Sequence, residues 1–270
     1  MTTALHGIAR RLLRRAPAVT VSEVGGLRSL HVGGDAIQSA MRIDDPFSLA
    51  LDYTRCMMAF LLFHPRPRDA LMIGLGGGSL AKFVYRRLKG TRVRVIECDT
   101  RVVQAARSYF SLPSDDARLQ VEIGDGAQAL VPQGCDLLMV DGFEDEAQAP
   151  GLASQDFYDA AFLALRDPGV LVINFMDDDP AFDRRLRWLE RAFGGAVLAM
   201  PALSDPNVLV FALRGAPPRV TWDRLRARAE RLERRLGLPF TRYVSALKRM
   251  NPCTRDALQI VPGTEGRPSR

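Results

Sequence analysis

Residues 69–99 constrain the fold of this chain more than any other stretch. They read Asp-Ala-Leu-Met-Ile-Gly-Leu-Gly-Gly-Gly-Ser-Leu-Ala-Lys-Phe-Val-Tyr-Arg-Arg-Leu-Lys-Gly-Thr-Arg-Val-Arg-Val-Ile-Glu-Cys-Asp. The apolar run Ala70 to Ile73 reads as a buried parallel strand. It breaks at Gly74, Gly76, Gly77 and Gly78, and a helical pattern begins at Ser79. A second apolar run, Val93 to Ile96, ends on Glu97. Strand, glycine turn, helix, strand and terminal carboxylate form one βαβ unit of the kind that binds nucleoside cofactors. Glycine lets the backbone approach a ligand closely, and the helix N-terminus offers unpaired N–H groups. Glu97 follows Gly74 by 23 residues, where an acid can accept hydrogen bonds from ribose hydroxyls. The plain alternative is a tight strand-to-helix turn followed by a surface Glu.

The dinucleotide fingerprint requires a further glycine at position 79, where this chain has Ser79. Gly74-Leu75-Gly76-Gly77-Gly78 instead follows the G-x-G-x-G spacing of proteins that bind S-adenosylmethionine or its relatives. Those ligands have no pyrophosphate and need no phosphate cradle. The sequence has no G-x-x-x-x-G-K-[ST], which argues against a P-loop nucleotidase.

Composition narrows the choice. A chain of 270 residues, 47% of them hydrophobic, can bury the core of one large α/β domain with small additions. No apolar run approaches the roughly 18–20 residues of a membrane span, so no membrane association is expected. Cys56, Cys98, Cys135 and Cys253 are widely spaced, which argues against zinc and against a disulfide framework. Three of them lie in apolar stretches and read as reduced core residues, which fits a cytoplasmic protein. His6, His31 and His64 all precede the glycine turn, so neither a His-based triad nor a histidine metal site is expected. Of the net charge of +6, residues 214–270 contribute +9 and residues 1–213 contribute −3. A basic C-terminal segment without aromatic interleaving reads as a solvated Arg-rich helix face, and nucleic acid is not an expected partner.

Four segments follow in order. Residues 1–16 form a basic arm. Residues 17–66 form a small antiparallel β-domain and a lead-in helix, with strands expected at Val19 to Val24, Leu27 to Val32 and Ala36 to Ile43, and a helix from Phe47 to Phe63 started by Asp44-Asp45-Pro46. Residues 67–214 alternate strands and helices as a Rossmann-like domain with a mostly parallel sheet. Residues 215–270 form a basic helical extension, read as helical over 219–259.

Ligands of an open parallel sheet bind outside the carboxyl ends of its strands. Four such ends deliver polar groups here: the glycine turn, Glu97, Asp125-Gly126 and Asp141. Asp125 can accept an adenine amino group, or it can simply cap its own turn. Asp141, Glu144, Asp145 and Glu146 follow one strand, and Asp177, Asp178 and Asp179 follow the next. Carboxylates gathered at one mouth favour a cationic substrate. The alternative is that Asp179-Pro180 begins a helix and the others are solvated.

Together these stretches are recognisable. Val19-Thr-Val-Ser-Glu-Val-Gly-Gly-Leu-Arg-Ser-Leu, the Gln38 strand, Tyr53, Leu71-Met-Ile-Gly-Leu-Gly-Gly-Gly-Ser-Leu, Val95-Ile-Glu-Cys-Asp, Ile123-Gly-Asp-Gly, Leu138-Met-Val-Asp-Gly-Phe, Gln155-Asp-Phe-Tyr and Pro168-Gly-Val-Leu-Val-Ile-Asn resemble the spermidine synthase family across roughly residues 18–213. The resemblance implies a methyltransferase-like Rossmann domain under a small β-domain, in a homodimer. It also implies transfer of an aminopropyl group from decarboxylated S-adenosylmethionine to an amine, releasing methylthioadenosine without a metal. By resemblance, Gly74, Gly76, Gly78, Glu97, Asp125, Gly126 and Gln38 hold the donor. Asp141 deprotonates the amine and Tyr53 lines its pocket; from the clustering of carboxylates, Glu144, Asp145 and Asp177 are expected to hold a small cationic acceptor. The chain departs from the family at Gly77, where an acid is usual, and after Asp141, where Gly142-Phe143-Glu144-Asp145 replaces D-S-S-D-P. It departs again at Thr54-Arg55, and at Asp205-Pro206-Asn207 in place of a tyrosine-proline segment. A methyltransferase using S-adenosylmethionine itself, and a non-catalytic nucleoside-binding homologue, remain the alternatives.

Overall fold

The computed structural model describes residues 18–144, 147–148 and 150–260. Strands β1 (Val19–Val24), β2 (Leu27–Val32) and β3 (Ser39–Arg42) form an antiparallel sheet in that order. Gly25 and Gly26 both have positive φ, +58° and +78°, as a two-residue hairpin turn requires. The third strand begins at Ser39 rather than Ala36, because the His31 ring holds the chain before it in a loop. Its Nδ1 donates toward the carbonyls of Asp35 and Ala36, at 3.0 and 3.2 Å.

The helix expected from Phe47 is shorter than its apolar pattern. It starts at Asp52 as α1 (Asp52–Met57) and tightens into a buried 3₁₀ turn, Met58–Leu62. Two interactions explain the late start. Arg42 engages the Asp44 carboxylate (2.6 Å at closest), so Asp44 does not cap a helix. Arg55 donates to the carbonyls of Leu49 and Ala50, which a helix running from Phe47 would use for its own backbone. The N–H of Tyr53 is thereby left to bond elsewhere.

The main sheet contains β4 (Asp69–Ile73), β5 (Arg92–Glu97), β6 (Leu119–Ile123), β7 (Cys135–Val140), β10 (Leu165–Met176), β11 (Val197–Pro201) and β12 (Asn207–Arg214), ordered β11-β12-β10-β7-β4-β5-β6. The five strands from β6 to β10 are parallel, and β12 and β11 are antiparallel additions. Between β7 and β10, β8 (Phe143–Glu144) and β9 (Ala147–Gln148) form a two-residue hairpin. Alternate residues of each strand face opposite layers: Ala70 and Met72 bury on one side, Leu71 and Ile73 on the other. α2 (Ser79–Arg87) and α3 (Thr100–Tyr109) cover the first side, and α4 (Gln155–Ala164) and α5 (Phe182–Ala192) cover the second.

The stretch 219–259 is not helical throughout. α6 (Trp222–Leu236) and α7 (Phe240–Met250) are flanked by a strand pair, β13 (Arg219–Thr221) and β14 (Ala257–Gln259). Thr221 caps α6, and Gly237 ends it in the left-handed region at φ +71°. Leu225, Ala229, Leu232 and Leu236 bury one stripe of α6 in the same core as Met58–Leu62, while its arginines lie mostly outside it. Cys56 and Cys135 are buried, but Cys98 is exposed, correcting the expectation of three core cysteines. It lies just past the end of β5, beside the open cleft. Among the described residues no helix is long and apolar enough to cross a membrane.

Candidate active site

The carboxyl ends of the parallel strands open into a cleft of about 1860 Å³, walled on one side by the β-domain and floored by the glycine turn. Gly74 is there for space as well as conformation. Its φ is +92°, and a Cβ at this position would lie 2.4 Å from the Asp141 carbonyl oxygen. Gly76 and Gly78 also have positive φ, and Gly78 leads into α2. Gly126 serves packing: a Cβ there would lie 2.2 Å from Ile73 Cγ2. A Cβ at Gly77 would meet Phe110 Cδ1 at 2.7 Å and Ser39 Oγ at 3.0 Å. At Gly77 the turn is closed against β3 and the end of α3.

Glu97 is held by the backbone on both oxygens. Leu75 N donates to Oε2 at 2.9 Å and Asp99 N donates to Oε1 at 3.0 Å. It is 8% exposed, and the remaining lone pairs of its oxygens are available to a ligand. Asp125 lines the cleft and caps its own turn, accepting from Ala127 N and Gln128 Nε2. Gln38 lines the β-domain wall just before β3.

Asp141 lies at the centre of a short polar chain. Its Oδ1 accepts from Asn174 Nδ2 at 3.0 Å, and its Oδ2 accepts from the Tyr53 hydroxyl at 3.2 Å. Asn174 Oδ1 in turn accepts from Asn207 Nδ2 at 3.0 Å. Burial pushes the Asp141 carboxyl above its usual range, against the hydrogen bonds from Asn174 and Tyr53. Burial, the Asp141 charge and the bond to it raise the Tyr53 phenol well above its usual value, so Tyr53 acts as a donor. The free N–H of Tyr53 donates to Asp205 Oδ2 at 2.9 Å, which brings β12's leading turn into the cleft wall.

The acidic cluster is smaller than the sequence suggests. Asp178 lines the cleft; Asp177 is not among its lining residues, its N–H donates to the Pro206 carbonyl and its side chain is exposed. Asp179 is occupied by Ala181 N and Arg185. Glu144 belongs to β8, whose side chains are not described, and Asp145 and Glu146 lie outside the described residues. Asn174 and Asn207 are the site residues that sequence reasoning missed. Their signal was available, since a lone amide inside Val-Leu-Val-Ile-Asn-Phe must find a partner when buried.

A mostly parallel sheet with this glycine turn and a backbone-held carboxylate at the end of β5 is the architecture of Rossmann-like nucleoside-binding domains. The comparisons are more specific. Residues 51–183 match the model of the spermine/spermidine synthase domain. A polyamine aminopropyltransferase of Chromobacterium violaceum is 36% identical over 95% of this chain and 100% of its own length. One from Neisseria meningitidis is 36% identical over 87% of this chain and 91% of its own. The chain belongs to the spermidine synthase (polyamine aminopropyltransferase) family. The crystal structure of spermidine synthase from Thermotoga maritima shares the fold at TM-score 0.65 and 21% identity, covering 85% of this chain and 83% of that one.

Proposed function

We propose that this cleft transfers an aminopropyl group from decarboxylated S-adenosylmethionine to a cationic amine, with Asp141 as proton acceptor. The observation that most supports this reading is the fixed Asn174–Asp141–Tyr53 arrangement directly beside the glycine turn. The donor supplies a carbon made electrophilic by a sulfonium, which departs as the neutral thioether methylthioadenosine. Glu97 would accept from the ribose hydroxyls, Asp125 would face adenine, and Gln38 would close the nucleoside from the β-domain side. The glycine turn packs directly against the Asp141 carbonyl, where a side chain at Gly74 would collide, and so keeps the nucleoside floor next to the proton acceptor. The acceptor arrives as an ammonium and must lose a proton before its nitrogen can attack. A carboxylate whose proton affinity is raised by burial narrows the gap to an amine. Asn174 and Tyr53 hold its two oxygens, so the carboxylate is oriented before substrate binds.

Glu97, Asp99, Asp125, Asp141, Asp178 and Asp205 all line the cleft. They favour a donor and acceptor that carry positive charge, and they disfavour the carboxylate of ordinary S-adenosylmethionine. Incubating the protein with 1,4-diaminobutane and each donor separates the readings. Methylthioadenosine formed only from the decarboxylated donor supports aminopropyl transfer; S-adenosylhomocysteine formed from the ordinary donor overturns it. A homodimer and a cytoplasmic location complete the proposal. The exposed Val24, Leu27, Ile37 and Ile43 of the β-domain support association with a second copy. Light scattering checks it against the 29.9 kDa of one chain.

A further inference from the structure

We propose that Asp205 selects a diamine acceptor, its carboxylate receiving the ammonium at the far end of the amine whose near nitrogen lies at Asp141. This deepens the reading of Asp141 as proton acceptor and rests on it. The geometry runs through one residue. Tyr53 donates from its hydroxyl to Asp141 Oδ2 and from its main-chain N–H to Asp205 Oδ2, so the two carboxylates are spaced along a single tyrosine side chain. Both line the same cleft.

Asp205 is held rigidly. The Asn207 N–H donates to the Asp205 carbonyl at 2.8 Å, and the neighbouring Ser204 N–H donates to Asp52 Oδ2 at 2.7 Å. The Asp177 N–H donates to the Pro206 carbonyl at 3.1 Å. These bonds tie the turn before β12 to both α1 and the end of β10. The carboxylate is half-buried, its Oδ1 has no donor among the described residues, and no Lys or Arg among them is paired with it. A fixed, half-buried acceptor oxygen facing a cleft is suited to a charged donor, and a charge-assisted bond there is stronger than one to a neutral group. Asp178 also lines the cleft, but it is exposed, where water screens its charge.

A diamine can engage Asp141 and Asp205 at once; a monoamine of the same length leaves Asp205 without its counter-charge. The selectivity is thus located at the turn before β12.

The test is a calorimetric titration of 1,4-diaminobutane and of 1-aminobutane into the protein with methylthioadenosine present. Asp205→Asn is an apt variant, because its amide oxygen can still accept from the Tyr53 N–H while the charge is gone. The wild type should bind the diamine at least about tenfold more tightly than the monoamine. Asp205→Asn should bring the two within about threefold by weakening the diamine alone, since the lost bond is one only the diamine makes. Asp177→Asn, which removes a nearby charge off the cleft, should keep the wild-type preference. A preference that survives in Asp205→Asn overturns the proposal, as does equal weakening of both amines, which would mark Asp205 as a support for Tyr53. A wild type that binds both amines equally overturns this inference alone. A wild type that binds methylthioadenosine but neither amine overturns the placement of the acceptor at Asp141 as well.

Discussion

Asp141 faces two demands that pull its proton in opposite directions. In its proposed role as a base it must be ionised, yet burial holds its carboxyl above the usual range. A carboxyl whose folded pKa is raised stabilises the fold fully only below its unfolded pKa, and that contribution is lost as pH rises through the folded value. At neutral pH the ionised Asp141 therefore costs stability. Asp141→Asn should lower turnover by about a hundredfold or more while methylthioadenosine still binds. The same variant should melt at a higher temperature than wild type at pH 7, with the difference shrinking as pH falls toward the ordinary aspartate range. Scanning calorimetry across pH reads this directly, and equal melting temperatures at pH 7 would contradict it. Asn174 acts in the opposite sense, since its amide favours the charged carboxylate. Asn174→Ala should move the acid limb of the kcat/KM profile to higher pH; an unmoved limb would remove Asn174 from the network's function.

Among the elements, the glycine turn is limited by its neighbours more than by its own flexibility. Gly74→Ala places a methyl group against the Asp141 carbonyl at a φ of +92°. It should destabilise the fold by about 1–3 kcal/mol and weaken methylthioadenosine binding, both readable by calorimetry. On the other side of the turn, Lys82 of α2 is fully buried and donates to the Phe110 carbonyl at the end of α3 (2.5 Å) and toward Met41 Sδ of β3 (3.2 Å). Burial lowers its pKa from 10.5 to about 8. Between those values the unfolded chain binds more protons than the folded one, so stability should rise with pH across that window, by about 3 kcal/mol at most. Lys82→Met should lack that rise in denaturant titrations at stepped pH. The legible elements were those set by local pattern: β4, the glycine turn, α2 and β5 follow from periodicity and from glycine chemistry. The shortened α1 was not legible because apolar periodicity does not show that a nearby side chain takes the helix's carbonyls, and the β13–β14 pair was not legible because its partners are far apart in sequence. Arg55 captures the carbonyls that a longer helix would need, and Arg219–Thr221 is extended because Ala257–Gln259 lies beside it. Asn174 could have been found from its polarity alone, whereas Asp205 needed the late start of α1 to acquire its bond to Tyr53.

At the scale of the molecule, charge is sorted by place. The basic residues of the C-terminal segment lie largely on the surface of α6 and α7, whereas the cleft is lined by six carboxylates and by Arg101, which is paired with Asp99. A positive net charge of +6 thus coexists with a negative mouth. Raising ionic strength from about 0.05 to 0.5 M should increase the KM of a cationic acceptor several-fold and leave kcat nearly unchanged, as screening shortens the reach of the cleft's field. A KM indifferent to salt would mean that contact, and not field, captures the amine.

The bond from Tyr53 to Asp205 spans 152 residues, and the one from Tyr53 to Asp141 spans 88. A ribosome therefore delivers the proposed nucleoside half of the site long before the proposed acceptor half exists. A chain halted ahead of β12 would have its glycine turn and Glu97 without the turn that completes the wall at Tyr53. On the proposed assignment the acceptor side of the cleft is completed after the nucleoside side, so turnover would report that synthesis has passed β12 and that β12 has paired with β10.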